Sequence, residues 1–247
     1  MAVLISFNEA QIFSSLGNVL LAFGMQDVFG VAPIPIVRGQ VNRVPQVKNP
    51  DNIVMWPLMR TRLETNYELD VDNRLTGSIA GNVMTVSALI LGAPIAGLSI
   101  FGAGVPAGTQ IMAQLTGVPG GVGTYSMTTT ASVASTTLYF GTASIQQNIE
   151  LTVQVDVHGP VSADNAARIT TLWRDPFGVN TAAALGGFIH PLYHDDARQG
   201  AFENAENQIE EMWSIDLHMQ INPVITVPAQ FAGALKATPI LARTTAP

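Results

Sequence analysis

Two segments of the chain show a strand-like alternation of apolar and polar residues. Between residues 149 and 158 every second residue is apolar, and the same period of two recurs between residues 213 and 221. This period is typical of a β-strand with one buried face. Asp156 and His158, at polar positions of the first segment, are therefore predicted to lie on the polar face of a sheet.

Two other segments have the spacing of amphipathic helices. Apolar residues recur at helical spacing over Asn8–Met25, where Asn8 and Gln11 resemble a capping box. A second helix is predicted from Ser162, as its N-cap, to about Arg174.

Further strands are expected before residue 75, at Ile34–Gln40, Asn52–Met59 and Thr61–Asp70. Together the flanking segments predict an α+β domain, a mostly antiparallel sheet with two or three helices on one face.

The distribution of charge divides the chain. No Asp, Glu, Lys or Arg occurs between Arg74 and Glu150. In this block apolar and Thr/Ser-rich runs alternate with Gly and Pro, which is typical of strands joined by tight turns. The alternative is a flexible linker, but a linker needs less apolar surface.

We therefore expect an inserted all-β module at residues 76–140. The α+β domain would be discontinuous, comprising 1–75 and 141–228. The residues beyond Asn222, and 229–247 in particular, are rich in Ala, Thr and Pro. We expect them to form an extended arm that becomes ordered only on a neighbouring subunit.

The overall composition favours a subunit that is buried among neighbours. Charged residues make up 12% of the chain and hydrophobic residues 47%, and so few charges suit an assembly surface. The net charge of -7 argues against a protein that grips nucleic acid through a basic surface. Gly and Pro interrupt the apolar segment 83–113, so no membrane span is expected, and no signal peptide is recognised.

A histidine pair is the first candidate for chemistry. His190 and His194 are followed by Asp195 and Asp196, and imidazole and carboxylate groups are common metal ligands. Pro191 breaks any helix that would place the two histidines on one face. We therefore favour an exposed polar loop here, and neither a metal nor another cofactor is predicted.

Two catalytic arrangements are conceivable from the sequence, and neither is favoured. Asp156 and His158 could join a serine in a triad, but the sequence has no strand-to-helix elbow around a serine. An acidic run could in principle act as general acid and base, although such a run is usually a solvated face. Its members are Glu203, Glu206, Glu210 and Glu211. No enzymatic activity is predicted.

Opposite charges concentrate in different parts of the chain. Residues 195–211 are acidic, whereas basic residues cluster before the uncharged block. The basic residues are Arg38, Arg43, Lys48, Arg60 and Arg62. Contacts between subunits are the expected use of this complementarity.

Three groups of motifs carry a resemblance. They are QVNRVPQ at 40–46 with MWPL at 55–58 and RLETN at 62–66; Asp-Asn-Ala at 164–166 with TLWRD at 171–175; and PLYHDDARQ at 191–199 with ENAENQIEEMW at 203–213 and QINPV at 220–224. These motifs resemble those of phage neck and tail-terminator proteins. Ala197 stands where the family pattern has proline, while Ala205 and Asn207 replace a glycine and a glutamine. The uncharged block is not part of this signature and resembles Gly/Thr-rich β modules of phage virion proteins.

The resemblance implies a structural virion protein, assembled in the host cytoplasm, that joins head to tail without catalysis. It implies a homohexameric ring that contacts tail-tube and head-completion proteins and lets genomic DNA pass without sequence-specific binding. The candidate contact residues are Arg43, Asp195, Asp196, Arg198 and Glu211. For each of them, anchoring a loop within the chain is the alternative.

A binding or decoration module is the alternative function. In it the β insert would dock a glycan or another virion protein through its neutral Thr/Ser/Gly surface. The insert offers few aromatic residues for this purpose, mainly Phe101, Tyr125, Tyr139 and Phe140.

Overall fold

The structure, a computed structural model, describes residues 4–31, 33–39, 51–203 and 209–229. Within these residues the helices are α1 (Glu9–Ala22), α2 (Ser162–Trp173) and α3 (Pro176–Ala184). The strands are β1 (Leu4–Ile5), β2 (Ile36–Arg38), β3 (Asn52–Arg62), β4 (Tyr67–Leu91), β5 (Ile111–Gln114), β6 (Gly123–Gln146), β7 (Ile149–His158), β8 (His190–His194), β9 (Arg198–Glu203), β10 (Ile209–Ile221) and β11 (Val224–Ala229). Strands predominate and lie in two sheets, which agrees with the predicted α+β class.

The chain divides into two compact units. The β unit contains Glu68–Ser144 together with the described residues Leu4 and 226–229. The α/β unit contains the described residues within Ile5–Tyr67 and Ile145–Ile225. The limits predicted for the inserted module, 76 and 140, fall inside the β unit.

The α/β unit is built on a six-stranded sheet with the order β2-β3-β7-β10-β8, in which β9 also pairs with β10. Four of the described pairings are antiparallel, and β2 with β3 is parallel. β7 and β10 occupy the centre, in a register that places Val153 opposite Leu217 and Val157 opposite Trp213. Both predicted strand alternations are therefore confirmed, and they lie side by side.

The apolar positions of these central strands form the core of the α/β unit. Val153, Val155 and Leu217 are fully buried and belong to one hydrophobic cluster. All three helices contribute to it, through residues such as Leu16 in α1 and Ile169 in α2. Burial of each such side chain contributes about 1.5–3 kcal/mol, so this cluster fixes which faces of β7 and β10 point inward.

The first helix begins as predicted. The Asn8 side chain accepts a hydrogen bond from the Gln11 backbone N–H at 3.0 Å, and the Gln11 side chain accepts one from the Asn8 N–H at 2.8 Å. This reciprocal pair is a capping box.

The predicted cap of α2 is wrong. The N-cap is Val161 and makes no side-chain cap bond, whereas Ser162 is the first helical residue and is fully buried. The Val161 N–H instead donates to Asp51 Oδ1 at 3.3 Å. A side chain from a distant segment therefore supplies an acceptor at this helix terminus.

The sequence predicted one strand ending at Met59 and another beginning at Thr61, and this division is also wrong. β3 continues to Arg62, and its pairing with β7 shifts register between Pro57 and Met59. A β-bulge allows a strand to continue past a proline, which cannot donate to the ladder.

The β unit has its own sheet and core. Its strand order is β1-β11-β6-β4, with β5 also paired to β6, and Tyr125 and Phe140 are fully buried in its hydrophobic cluster. The β4 range folds back on itself at Gly81, where φ is 64°. Ser87 Oγ donates to the Thr76 carbonyl at 3.1 Å, so the two halves of β4 lie alongside each other like a hairpin.

The end of the described chain differs from the extended arm expected beyond Asn222. Val224–Ala229 forms β11, which pairs within the chain in the sheet of the β unit. These residues therefore need no neighbouring subunit to become a strand. Residues 230–247 of the predicted arm lie outside the described residues.

Candidate functional site

The polar positions of β7 and β10 form one continuous surface, which we call the polar sheet face. Because β7 and β10 pair in register, their polar residues are neighbours across the strands. Its members are Glu150, Thr152, Gln154, Asp156, His158, Ser214, Asp216, His218 and Gln220. Asp156, His158, Asp216 and His218 are each less than a tenth exposed. Buried charges require partners, so the contacts of this face are informative.

The first cluster on this face surrounds His218. Its Nδ1 lies 2.7 Å from Glu150 Oε1, and its ring stacks on Tyr193 of β8 with centroids 4.1 Å apart and planes 11° apart. The Tyr193 hydroxyl donates to the same Glu150 oxygen at 2.8 Å. These contacts hold Tyr193 in one orientation, although its side chain remains partly exposed at the edge of the sheet.

The electrostatics of this cluster follow from the hydrogen bonds to Glu150. The bond from Tyr193 and then the one from His218 lower the pKa of Glu150, because both stabilise its charged form. The same bond raises the pKa of Tyr193, since a tyrosinate could no longer donate to the carboxylate. Glu150 is therefore held as an anion and Tyr193 as a neutral donor.

A second cluster centres on Asp216. Arg198 Nη2 on β9 donates to Asp216 Oδ2 at 2.7 Å, and the Asp195 N–H donates to the Asp216 backbone carbonyl at 2.9 Å. Asp195 Oδ2 also lies 3.7 Å from His218 Nε2. These contacts hold the connection between β8 and β9 against β10. The side chains of Asp195 and Asp196 in this connection are exposed.

A third cluster involves Asp156. Its Oδ1 accepts hydrogen bonds from Ser214 Oγ at 2.6 Å and Gln154 Nε2 at 2.8 Å. Burial lowers the pKa of the nearby His158, and the negative charges of Asp156 and Glu210 oppose that shift only in part. Ser214 thus donates directly to a carboxylate, which is not the nucleophile–imidazole contact of a serine triad.

Trp173 of α2 joins the helix layer to these strands. Its indole Nε1 donates to the Tyr193 carbonyl at 3.0 Å and to the His218 carbonyl at 3.2 Å. The pairing of β8 with β10 shifts register between His218 and Met219, so the ladder is irregular beside these carbonyls. The indole supplies a donor where the regular pattern is interrupted.

The exposed polar loop predicted for His190, His194, Asp195 and Asp196 is wrong for the two histidines, which lie on β8. Asp195 and Asp196 do lie in an exposed connection after that strand. Pro191 is compatible with this strand because β8 lies at the edge of the sheet order. Across the described ranges, no group of three or more His, Asp or Glu side chains is arranged to hold a metal ion.

The structure places four of the five candidate contact residues. Asp195 and Asp196 are exposed between β8 and β9, and Glu211 is exposed on β10. Arg198 is engaged within the chain, although its side chain is 60% exposed. Arg43 lies outside the described residues.

Sequence reasoning missed the residues that organise this region, namely Glu150, Tyr193, Asp216 and His218. Glu150 and His218 occupy polar positions of the two alternating segments, so the alternation could have placed them on the polar sheet face. The register that joins them could not be read from the alternation alone.

A basic residue lies towards the other edge of the same sheet, away from β8. Arg60 is exposed on β3 opposite Leu151 of β7. β2 pairs only with residues 53–55 of β3. Two strands, β7 and β10, separate Arg60 from the β8–β9 connection. The exposed Arg60 and the exposed Asp195 and Asp196 thus lie towards opposite edges of one sheet.

The aromatic residues of the β unit are mostly internal. Tyr125 and Phe140 are fully buried, and Phe101 and Tyr139 are half-buried. A sugar-binding platform needs an exposed aromatic face. Tyr125 and Phe140 cannot supply one.

The profile described as phage neck terminator protein matches residues 105–240, more than half of the chain. The chain belongs to the phage neck terminator protein family. The family match includes the β8–β9 motifs and also residues 105–140, which the sequence resemblance had left out. It does not extend to the motifs at 40–66. No curated protein matches the chain.

Membership of this family makes the protein a component of the phage virion with a structural role in the neck. Among helices formed by the described residues, none combines the length and apolarity needed to cross a membrane.

Proposed function

We propose that this phage neck terminator protein forms a closed ring that joins the tail to the head. The family match over residues 105–240 carries the proposal. A ring of identical subunits requires two different complementary surfaces on each copy, so that each subunit binds the next head to tail. The opposite charges of Arg60 and of Asp195 and Asp196, towards opposite edges of the six-stranded sheet, support this proposal.

The contact that we propose joins the Arg60 side of one copy to the β8–β9 connection of the next. Arg60 is exposed, and Asp195 and Asp196 are exposed on the other side of the sheet. The charges are complementary and the sheet holds them at a fixed separation. Such pairs set register and partner choice more than affinity. Arg43 and Glu211 are further candidates for the same contact.

Arg198 has a supporting role in this proposal. Its ion pair with the largely buried Asp216 fixes the start of β9, next to the exposed Asp195 and Asp196. A preorganised acidic segment loses less conformational entropy when it binds.

Six copies around a channel would place this contact six times in the ring. Tail-tube subunits and head-completion proteins are the proposed neighbours on its two ends. The net charge of each subunit is -7, so the ring would repel the DNA backbone and let the genome slide without specific binding. This proposed role needs no catalysis.

A charge-swap experiment tests the contact. We expect Asp196→Arg alone and Arg60→Asp alone to reduce ring formation in sedimentation velocity and negative-stain images. The double variant should restore it, because the ion pair is re-formed with reversed polarity. Asp164→Arg is the control, since Asp164 is exposed in the first turn of α2.

Two outcomes would contradict the proposal. Rings from both single variants, or no recovery in the double variant, would show that this charge pair does not join the copies. A wild-type protein that is monomeric at every concentration and missing from purified phage necks would overturn the ring itself.

A further inference from the structure

The imidazole of His218 lies between two carboxylates, which approach different ring nitrogens. Nδ1 lies 2.7 Å from Glu150 Oε1, and Nε2 lies 3.7 Å from Asp195 Oδ2. The Asp195 side chain is 55% exposed, whereas that of His218 is 11% exposed. Nε2 is buried and has no hydrogen-bond partner within the described ranges. Buried polar atoms are rarely left unpaired, and Asp195 is a candidate partner that lies beside this nitrogen.

The contact with Glu150 determines which ring nitrogen carries a proton. The hydrogen bonds from Tyr193 and then from His218 lower the pKa of Glu150, so its carboxylate is charged and can only accept hydrogen bonds. Nδ1 must therefore be the donor in this pair. When His218 is neutral, its single N–H lies at Nδ1, and Nε2 has a bare lone pair.

A neutral His218 cannot bind Asp195. The bare Nε2 and the carboxylate are both acceptors, and 3.7 Å between them is beyond hydrogen-bond range. Protonation adds a second N–H to His218, at the nitrogen that lies beside Asp195. A charge-assisted N–H···O bond is about 2.7–2.9 Å long, so the carboxylate needs to move inward by only about 1 Å to form one.

The backbone of Asp195 is already held in place. Its N–H donates to the Asp216 carbonyl at 2.9 Å, and its own carbonyl oxygen lies 2.9 Å from His194 Nδ1. Rotation about the side-chain bonds of Asp195 is therefore enough to bring the carboxylate to His218. The strands on either side need not move.

The other titratable groups near His218 have partners of their own. Asp216, two residues away on β10, pairs with Arg198 through Oδ2. Tyr193 stacks on the imidazole, and its pKa is raised, first by its hydrogen bond to a carboxylate, so it stays neutral. From the helix layer, an indole of α2 donates to the backbone carbonyl of His218, which does not titrate.

We propose that the protonation state of His218 sets the position of the Asp195 carboxylate. Beside a neutral His218 the carboxylate faces solvent, and beside a protonated His218 it turns inward and binds Nε2. The consequence for assembly rests on the proposed ring, in which Asp195 and Asp196 contact Arg60 of the next copy. Acid then withdraws one of these two carboxylates and weakens the contact.

A double-mutant cycle tests this switch without using the ring. We expect Asp195→Asn and His218→Asn to be coupled in urea unfolding at about pH 5 and uncoupled at about pH 8, because histidine gains its charge between these values. His218→Asn keeps an N–H near the position of Nδ1 and removes Nε2. Equal coupling at two protein concentrations excludes a contribution from assembly.

Asp196→Asn is the matched control, because Asp196 is the next residue and is also exposed. Its cycle with His218→Asn should show little change with pH. NMR gives a direct view of the same event. The carboxyl carbon of Asp195 should shift with the same midpoint as the His218 imidazole, and this step should be missing in His218→Asn.

Ring formation supplies the last measurement. In sedimentation velocity the wild type should assemble severalfold less well at the acidic pH than at the alkaline one, and His218→Asn should lose most of this difference. The switch is overturned by coupling that is equal at the two pH values, by equal coupling of Asp196, or by an Asp195 signal that does not follow the imidazole. A pH-dependent coupling with pH-independent rings would support the switch and count against Asp195 in the proposed ring contact.

Discussion

Glu150 of β7 and His218 of β10 are joined across the centre of the sheet by an Oε1–Nδ1 distance of 2.7 Å. The two residues are diagonal neighbours, because Glu150 lies opposite Gln220 and His218 opposite Thr152. Tyr193 completes the group by stacking on the imidazole and donating to the carboxylate. This small network links β7, β10 and β8, three successive strands of the sheet.

Replacing Glu150 should change the response of stability to acid. Its folded-state pKa is lowered, first by Tyr193 and then by His218. The stabilisation is therefore complete above the ordinary glutamate pKa of about 4.3 and is lost as pH falls through the lower, folded value. We expect Glu150→Gln to be less stable than the wild type at pH 7, and the difference to shrink below pH of about 4.

Urea denaturation at a series of pH values would measure this difference. Glu68→Gln serves as the control because Glu68 is exposed on β4 and has no place in the proposed ring contact. A difference between the wild type and Glu150→Gln that stays constant down to pH of about 3 would contradict the assignment.

His158 should contribute a separate pH dependence. Burial lowers its folded-state pKa, against the opposing effects of Asp156 and Glu210. The folded state then binds fewer protons than the unfolded state below the ordinary histidine pKa of about 6.5, so stability falls as the pH is lowered through that region. NMR titration of the imidazole should give a midpoint below the ordinary value. His158→Gln should flatten the stability profile between about pH 7 and 5, and a midpoint above the ordinary value would contradict this prediction.

Trp173 and Trp213 should respond differently to replacement by phenylalanine. Trp173 is fully buried and its indole N–H donates to two carbonyls, so Trp173→Phe should cost about 2–4 kcal/mol of unfolding free energy. Trp213 Nε1 is buried without a hydrogen-bond partner in the described part of the chain. Trp213→Phe should therefore cost no more than about 1 kcal/mol. Chemical denaturation of both variants checks the order, and equal losses would contradict it.

Gly92 and Gly108 provide a matched test of backbone strain and steric space. Both have φ of 78°, but a Cβ on Gly92 would lie 2.1 Å from Asn73 Oδ1 whereas nothing lies within 4 Å of one on Gly108. Gly108→Ala should cost about 1 kcal/mol, the penalty for the left-handed conformation. Gly92→Ala should cost clearly more, because the buried Asn73 must move as well. Thermal unfolding of both variants would show the difference, and similar midpoints would exclude a steric contribution at Gly92.

The sequence predicted the elements that have a strong local signal. The capping box at Asn8 and the alternation in β7 and β10 are present as expected. Local patterns suffice there, because each segment has a period or a cap that only one conformation satisfies.

Elements that depend on distant contacts were missed or misplaced. α3 follows an Asp-Pro start, but a Cβ on its Gly178 would lie 2.2 Å from the Leu172 carbonyl, so its path is set by packing against α2. β8 contains Pro191 and is a strand only because β10 lies beside it. Ser162 resembled a cap, yet Asp51, more than a hundred residues away, supplies the acceptor for Val161.

Four of the five candidate contact residues belong to one charged motif, but the motif does not reveal which residues hold them in place. Asp195, Asp196 and Arg198 lie together as their spacing suggests, but their fixed positions depend on Asp216 and His218. Long-range strand register creates these pairs, and a single sequence contains no direct signal for it.

The strand β11 has a consequence for how the protein is made. It pairs with β6 in the sheet of the β unit, although more than seventy residues separate the ends of these strands in the chain. On the ribosome, β4, β5 and β6 emerge well before β11. One edge of β6 therefore lacks its partner strand until residue 229 has emerged. The β unit therefore reaches its final form only near the end of translation, and its uncharged strands β5 and β6 must avoid pairing with other nascent chains until then.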